Sequence, residues 1–214
     1  MARPSQTASG DARVEALRTA DPVLRRLIDR IGPLDLAAWR GRWPRDPFAL
    51  LTRSIVGQQI STHAAGAIFG RLRDALQPDF SAQGVAQASD ETLLVAGLSR
   101  AKLASLRDLS ARVVTGELPI DSLSAFSDDE VREKLTAVHG IGPWTAKLFL
   151  LALGRDDALP AADVGLRRAV RAAFDLDHLP STVEVETLAE AWRPNRSLAA
   201  AYLYTSLRRP PAPG

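Results

Sequence analysis

The sequence predicts an all-α fold, on three observations. Helix starts are marked again and again by a capping residue before a proline or by a capping box. Apolar residues then recur at intervals of three and four. Alternating strand-like runs are missing; Val113-Val114 is the nearest approach and is too short for a strand.

The elements follow in order. Residues 1–12, MARPSQTASGDA, show no apolar pattern and are expected to be disordered, as are residues 209–214. Asp21-Pro22 opens a helix carrying Val23, Leu24, Leu27 and Ile28, which Gly32-Pro33 closes. Trp39 and Trp43, four apart, read as one helical face. Asp46-Pro47 opens a helix with Leu50, Leu51 and Ile55. Gly116 to Pro119 breaks the chain again. Ser127 and Glu130 have capping-box spacing ahead of Val131, Leu135 and Val138. A strongly apolar helix then runs to Gly154, and GRDDALPAA, 154–162, is the plausible seam between two parts. Ser181 and Glu184 repeat the capping box, between boundaries at Pro160, Pro180 and Pro194. About ten helices are expected, with no internal repeat.

Composition excludes several function classes. Cysteine is absent, so disulfides, iron–sulfur clusters, thiolate zinc and cysteine nucleophiles are out. His63, His139 and His178 are far apart, which disfavours a histidine metal centre. No apolar run reaches the ~18–20 residues of a membrane span. The first residues lack the apolar core of a signal peptide. No membrane partner and a cytoplasmic location are expected, at the nucleoid if the source is bacterial. The net charge is only +2, although all but three of the 27 basic residues are arginine. Arginine suits phosphate recognition, but an Ala- and Arg-rich composition also reflects a GC-rich genome, so nucleic-acid binding has to be argued from a site.

That site begins at Leu135-Thr-Ala-Val-His-Gly-Ile-Gly-Pro-Trp-Thr-Ala146. One helix ends, Gly140-Ile141-Gly142 turns, and Pro143 starts the next. Each glycine permits a positive φ and close approach of another molecule. Ile141 can turn inward and tie the helices together. The amides around Gly140, Gly142 and Thr145 then face outward at a helix N-terminus, an arrangement that grips a phosphate without reading bases.

The string resembles the helix-hairpin-helix motif of DNA-binding proteins. Downstream, Pro160-Ala-Ala-Asp163-Val-Gly extends the resemblance to the helix-hairpin-helix DNA glycosylase superfamily. Asp46-Pro-Phe through Arg53-Ser-Ile-Val-Gly-Gln-Gln-Ile-Ser61 and Trp192 through Tyr204 match in the same order. The similarity is strongest to the 3-methyladenine DNA glycosylase II group, in a compact form without an N-terminal β domain. It implies two helical lobes with the active site in the cleft between them. Residues 46–160 would form the hairpin lobe, and 13–45 with 161–208 the other.

The resemblance implies a monofunctional glycosylase of base excision repair. It would flip alkylated purines such as 3-methyladenine and 7-methylguanine out of damaged double-stranded DNA and hydrolyse the N-glycosidic bond. Another lesion, such as hypoxanthine or ethenoadenine, or a non-catalytic DNA-binding module are the alternatives. Asp163 is the implied catalytic residue, a reading compatible with a helix cap. A carboxylate ~4 Å from a cationic sugar, at an effective dielectric near 20, is worth about 4 kcal/mol, roughly a thousandfold in rate. Related β-lyase enzymes carry lysine where this chain has Trp144, so no lyase activity is expected. Trp144 is either a stacking wall for a cationic base or a core residue. Tyr204 falls on an aromatic pocket position, whereas Leu148 and Val164 replace tyrosines of larger relatives. Gln58 or Gln59 would fill the gap left by the flipped base. Lys102 either contacts phosphate or is a solvated helix end. No organic cofactor is implied; a monovalent or alkaline-earth cation held by the carbonyls of Thr136, Val138 and Ile141 is. A monomer is expected.

Overall fold

The computed structural model describes residues 6–41 and 43–207. Among them are thirteen α-helices and two 3-10 segments, Ile120–Ala125 and Glu190–Trp192, and no strand. The count exceeds the expected ten because several helices are too short to show a period, such as the five residues of Leu36–Arg40. No helix among the described residues is long and apolar enough to cross a membrane.

The chain falls into two compact units. The first unit combines the two ends of the chain, up to residue 42 and from 154 onward. It holds α1 (Gln6–Ala20), α2 (Pro22–Ile31) and α3 (Leu36–Arg40). The other, Trp43–Leu153, holds α4 (Pro47–Gly57), α5 (Thr62–Ala75), α6 (Ala82–Gln87), α7 (Asp90–Val95), α8 (Arg100–Val114), α9 (Asp128–Thr136) and α10 (Pro143–Leu153). The chain then completes the first unit with α11 (Val164–Ala173), α12 (Thr182–Ala189) and α13 (Arg196–Ser206).

In the first unit α13 packs on α2 and α11. Its Ala199, Ala200 and Ala201 are fully buried, and such small side chains let neighbouring helices approach closely. Asp21 caps α2 through Val23 N–H (2.7 Å) and Leu24 N–H (3.2 Å), while its second oxygen accepts the indole N–H of Trp192 at 2.8 Å. One short side chain thus satisfies a helix end and a buried tryptophan. In the other unit α4 buries Leu51, Ile55 and Val56, with α8 (Leu106, Leu109) and α10 (Phe149, Leu151) completing a core. Both capping boxes form, Ser127 with Glu130 and Ser181 with Glu184.

Three expectations change. The start expected to be disordered, 1–12, is helical from Gln6 onward; residues 1–5 and the 209–214 tail lie outside the described residues. Leu17, 1% exposed, anchors that helix, and extension toward the N-terminus adds one hydrogen bond per residue fixed. The unit boundaries fall at 43 and 153 rather than 46 and 160. Residues 155–158 are tied to α13: Ser197 Oγ accepts Ala158 N–H at 3.0 Å and lies 2.6 Å from the Arg155 carbonyl. Trp39 and Trp43 do not share a helix, because Gly41 caps α3 between them.

Candidate functional site

Asp163 is the N-cap of α11, in extended conformation, with Oδ1 accepting Leu166 N–H at 2.8 Å. The same Oδ1 accepts the phenol O–H of Tyr204, on α13, at 2.8 Å. Oδ2 receives no hydrogen bond from the described residues. The helix dipole favours an anion at this end. Tyr204 is half-buried, its ring 6.0 Å from that of Trp39 at a 31° tilt.

The hairpin lies in the Trp43–Leu153 unit. Gly140 has φ +79°, and a Cβ there would fall 2.2 Å from Ser105 Oγ on α8. Gly142 departs from the sequence expectation. It does not adopt a positive φ, and a Cβ on it would meet nothing within 4 Å. Its glycine therefore leaves open space on the outer side of the turn. Ile141 is 3% exposed and does turn inward. The first intrahelical bond of α10 is Ala146 N–H to the Gly142 carbonyl, 3.1 Å, so the amides of Trp144 and Thr145 precede the ladder and have no acceptor within the helix. Thr145 is 2% exposed and buried as a whole residue. Trp144 is half-buried, and its indole N–H is buried without a hydrogen-bond partner among the described residues.

Gln58 and Gln59 separate cleanly. Gln58 follows the end of α4, and its Nε2 donates to the Gly140 carbonyl at 2.8 Å. Gln59 is exposed with φ +59°, a left-handed conformation unusual for a side-chain-bearing residue. Lys102 contacts neither solvent alone nor an empty surface: its Nζ donates to the Val56 carbonyl at 2.7 Å, closing the C-terminus of α4. Burial pushes its pKa down.

No group of three or more His, Cys, Asp or Glu among the described residues can hold a metal. In the hairpin, the Val138 carbonyl accepts Ile141 N–H at 3.0 Å, and Thr136 Oγ1 turns back to the Arg132 carbonyl at 2.8 Å. Of the Thr136, Val138 and Ile141 carbonyls expected to hold a cation, that of Val138 is thus already engaged by the hairpin itself.

The family described as HhH-GPD superfamily base excision DNA repair protein matches residues 52–194. The chain belongs to this superfamily. Among its relatives is DNA-3-methyladenine glycosylase 1 of Schizosaccharomyces pombe, 29% identical over 84% of this chain and 80% of that protein. A Mycobacterium tuberculosis protein named as a probable bifunctional transcriptional activator/DNA repair enzyme AlkA is 33% identical over 95% of this chain, but over only 41% of its own length. The solved Schizosaccharomyces pombe 3-methyladenine DNA glycosylase Mag1, in complex with abasic DNA, superposes with a TM-score of 0.83 at 26% identity, covering 95% of this chain and all of that one. A DNA-3-methyladenine glycosidase from Bacillus halodurans gives 0.78 at 32% identity, covering 91% and 88%. The HhH-GPD match includes Gln58, Gln59, the hairpin and Asp163; Tyr204 lies beyond its end.

Sequence reasoning missed three supporting residues. Ser105 and Asp108 sit three apart on α8 and hold the hairpin: Asp108 Oδ2 accepts His139 N–H at 2.7 Å, and Ser105 Oγ lies 3.3 Å from His139 Nδ1. Nothing in their spacing points to a loop some thirty residues away. Burial raises the Asp108 pKa, but the His139 amide and the Arg112 guanidinium outweigh it and hold the carboxyl below its ordinary value. Gly165 is the third. Its signal is a glycine placed inside the first turn of α11, where helix propensity argues against it.

Proposed function

We propose that the protein is a monofunctional DNA glycosylase that removes alkylated purines from double-stranded DNA by hydrolysis. The observation that carries the reading is Asp163: a carboxylate fixed at a helix N-terminus through one oxygen, with the other left without a protein donor. The family relationship and the names of the relatives support it.

In the proposed reaction the bond between C1′ of the sugar and the purine nitrogen breaks, and its electron pair leaves with the base. A purine alkylated to a cation departs neutral. Positive charge develops on the sugar, and the Asp163 carboxylate stabilises it by roughly 4 kcal/mol at ~4 Å. Water adds to C1′ and loses a proton to the carboxylate or to solvent, leaving an abasic site. Trp144 offers an indole face to the cationic base, an attraction of about 0.5–2 kcal/mol. The amides after Gly142 grip a phosphate, and Gln59, exposed and unencumbered by the Gly140 carbonyl, enters the gap in the stack. A cation on the Thr136, Val138 and Ile141 carbonyls would add positive charge near that phosphate. The protein acts as a monomer on one lesion.

The test is base release from duplexes carrying one defined lesion each, 3-methyladenine, 7-methylguanine, hypoxanthine and ethenoadenine, by wild type and Asp163→Asn. Asparagine keeps the size and can still accept a capping hydrogen bond. Release of the alkylpurines, lowered about a hundredfold or more in a well-folded variant, is the expected outcome. Preferential release of a neutral lesion would reassign the substrate. DNA binding with no release at all would leave a non-catalytic module.

A further inference from the structure

The family resemblance implies a place for Tyr204 in the wall of a base pocket; in the structure its phenol donates to the Asp163 carboxylate. We infer that Tyr204 is a positioning residue for base excision, holding Asp163 so that one oxygen faces the sugar, an inference that rests on Asp163 being the catalytic carboxylate.

A free carboxylate can rotate about its last bond and exchange its oxygens. Here Oδ1 accepts from two directions, Leu166 N–H and Tyr204 O–H, each at 2.8 Å, while Oδ2 accepts from none of the described residues. The amide alone makes an ordinary helix cap. The phenol adds a second direction, and two donors on one oxygen fix the carboxylate plane. Hydrogen bonds to an ionised acceptor are about twice as strong as neutral ones. The charge is then held in place before the reaction, which spares reorganisation in the transition state.

Two further features serve the pair. Tyr204 extends from α13, whose neighbouring Tyr202 and Leu203 are fully buried, and its ring lies beside Trp39. The phenol is therefore carried on a rigid support. Gly165 makes room: a Cβ there would lie 2.9 Å from Asp163 Oδ1 and 3.4 Å from Tyr204 Cε1. The Oδ1 atom ends a short side chain tied by two hydrogen bonds, so it cannot yield without breaking the arrangement. A pocket wall alone would need neither the hydrogen bond nor the glycine.

Tyr204→Phe and Gly165→Ala test this against wild type and Asp163→Asn, with duplex DNA containing 7-methylguanine as substrate. The readouts are the saturating single-turnover rate, affinity for a duplex with an abasic analogue, and melting temperature. Tyr204→Phe keeps the ring and removes one donor. The rate should fall about tenfold or more. Affinity and melting temperature should stay near wild type. Gly165→Ala should lower the rate similarly while melting near wild type, the helix propensity that alanine adds offsetting the weakened cap. A Tyr204→Phe enzyme with the wild-type rate would overturn the inference, as would a defect confined to substrate binding. If that variant fails to fold, a wild-type rate in Gly165→Ala overturns it instead. Wild type that releases no base, or a fully active Asp163→Asn, would overturn the glycosylase reading and this inference together; activity lost in Asp163→Asn but intact in Tyr204→Phe would overturn this inference alone.

Discussion

The side chain of Gln58 donates a hydrogen bond from Nε2 to the carbonyl of Gly140, 2.8 Å away and 82 residues along the chain. It joins the end of α4 to the hairpin, and so joins the segment that carries Gln59 to the turn that carries Gly142. Of the adjacent glutamines, one is thereby tied internally and the other is exposed.

The two should respond differently to substitution. Gln58→Ala frees the Gly140 carbonyl and should cost about 0.5–1.5 kcal/mol of stability, with weaker binding to damaged and undamaged duplexes alike. Gln59→Gly removes the cost of a left-handed residue, so stability should be unchanged or higher by up to about 1 kcal/mol. Its excision rate should nonetheless fall, because nothing replaces the flipped base. Thermal unfolding and single-turnover excision on both variants separate the tasks; full excision by Gln59→Gly would remove that side chain from the duplex.

The tether on the other side of the hairpin should be pH-dependent. Asp108 accepts from the His139 amide and from Arg112, at 2.7 and 3.0 Å, and these bonds hold its pKa below the ordinary value despite burial. A carboxyl depressed on folding contributes stability above its unfolded pKa and loses it as pH falls through the folded one. Asp108→Asn should therefore lose most stability at neutral pH and approach wild type in acid. The side chain is 31% exposed, which limits the neutral-pH loss to about 1 kcal/mol. Melting curves across the acid range check it, and a gap independent of pH would mean that the tether does not depend on charge.

Most of the helical architecture was legible because caps are local. Asp21, Asp46, Ser127 and Ser181 announce their helices within three residues, and each forms the expected cap. Asp163 was legible as a cap for the same reason, and as a candidate for catalysis only through the family pattern. What was not legible is tertiary. The partner of Tyr204 lies 41 residues away and that of His139 31 residues away, at separations that no helical period links. The glycines show the limit well. Gly140 and Gly142 look equivalent in sequence, yet one is required by Ser105 and the other by nothing inside the protein.

The proposed absence of lyase activity can be checked chemically. A β-lyase attacks the sugar with an amine and forms an imine that borohydride traps. Position 144 is tryptophan, Lys102 is engaged on the Val56 carbonyl, and Lys134 lies 4.9 Å from the Phe126 ring centroid. No enzyme–DNA adduct should form on borohydride treatment of a turning-over reaction. If one does form, replacing Lys102, Lys134 and Lys147 one at a time with arginine identifies the amine.

The two hairpin glycines give the sharpest contrast. Alanine at Gly140 would place a methyl 2.2 Å from Ser105 Oγ and require a positive φ of a residue with a Cβ. Ser105 is 4% exposed and bonded to the Ala101 carbonyl, so it has little room to move. Backbone strain of about 1–2 kcal/mol and overpacking of about 1–3 kcal/mol should both appear as lost stability. Alanine at Gly142 meets nothing within 4 Å, so its melting temperature should change by no more than about 0.5 kcal/mol implies. If a phosphate approaches that turn, the added methyl stands in its way. Affinity for damaged and undamaged duplexes should fall together, and the salt dependence of binding should weaken by about one phosphate contact. A Gly142→Ala protein that binds DNA as wild type does, with the same salt slope, would place the phosphate elsewhere. One that binds normally but changes its lesion preference would instead make the turn part of the base pocket.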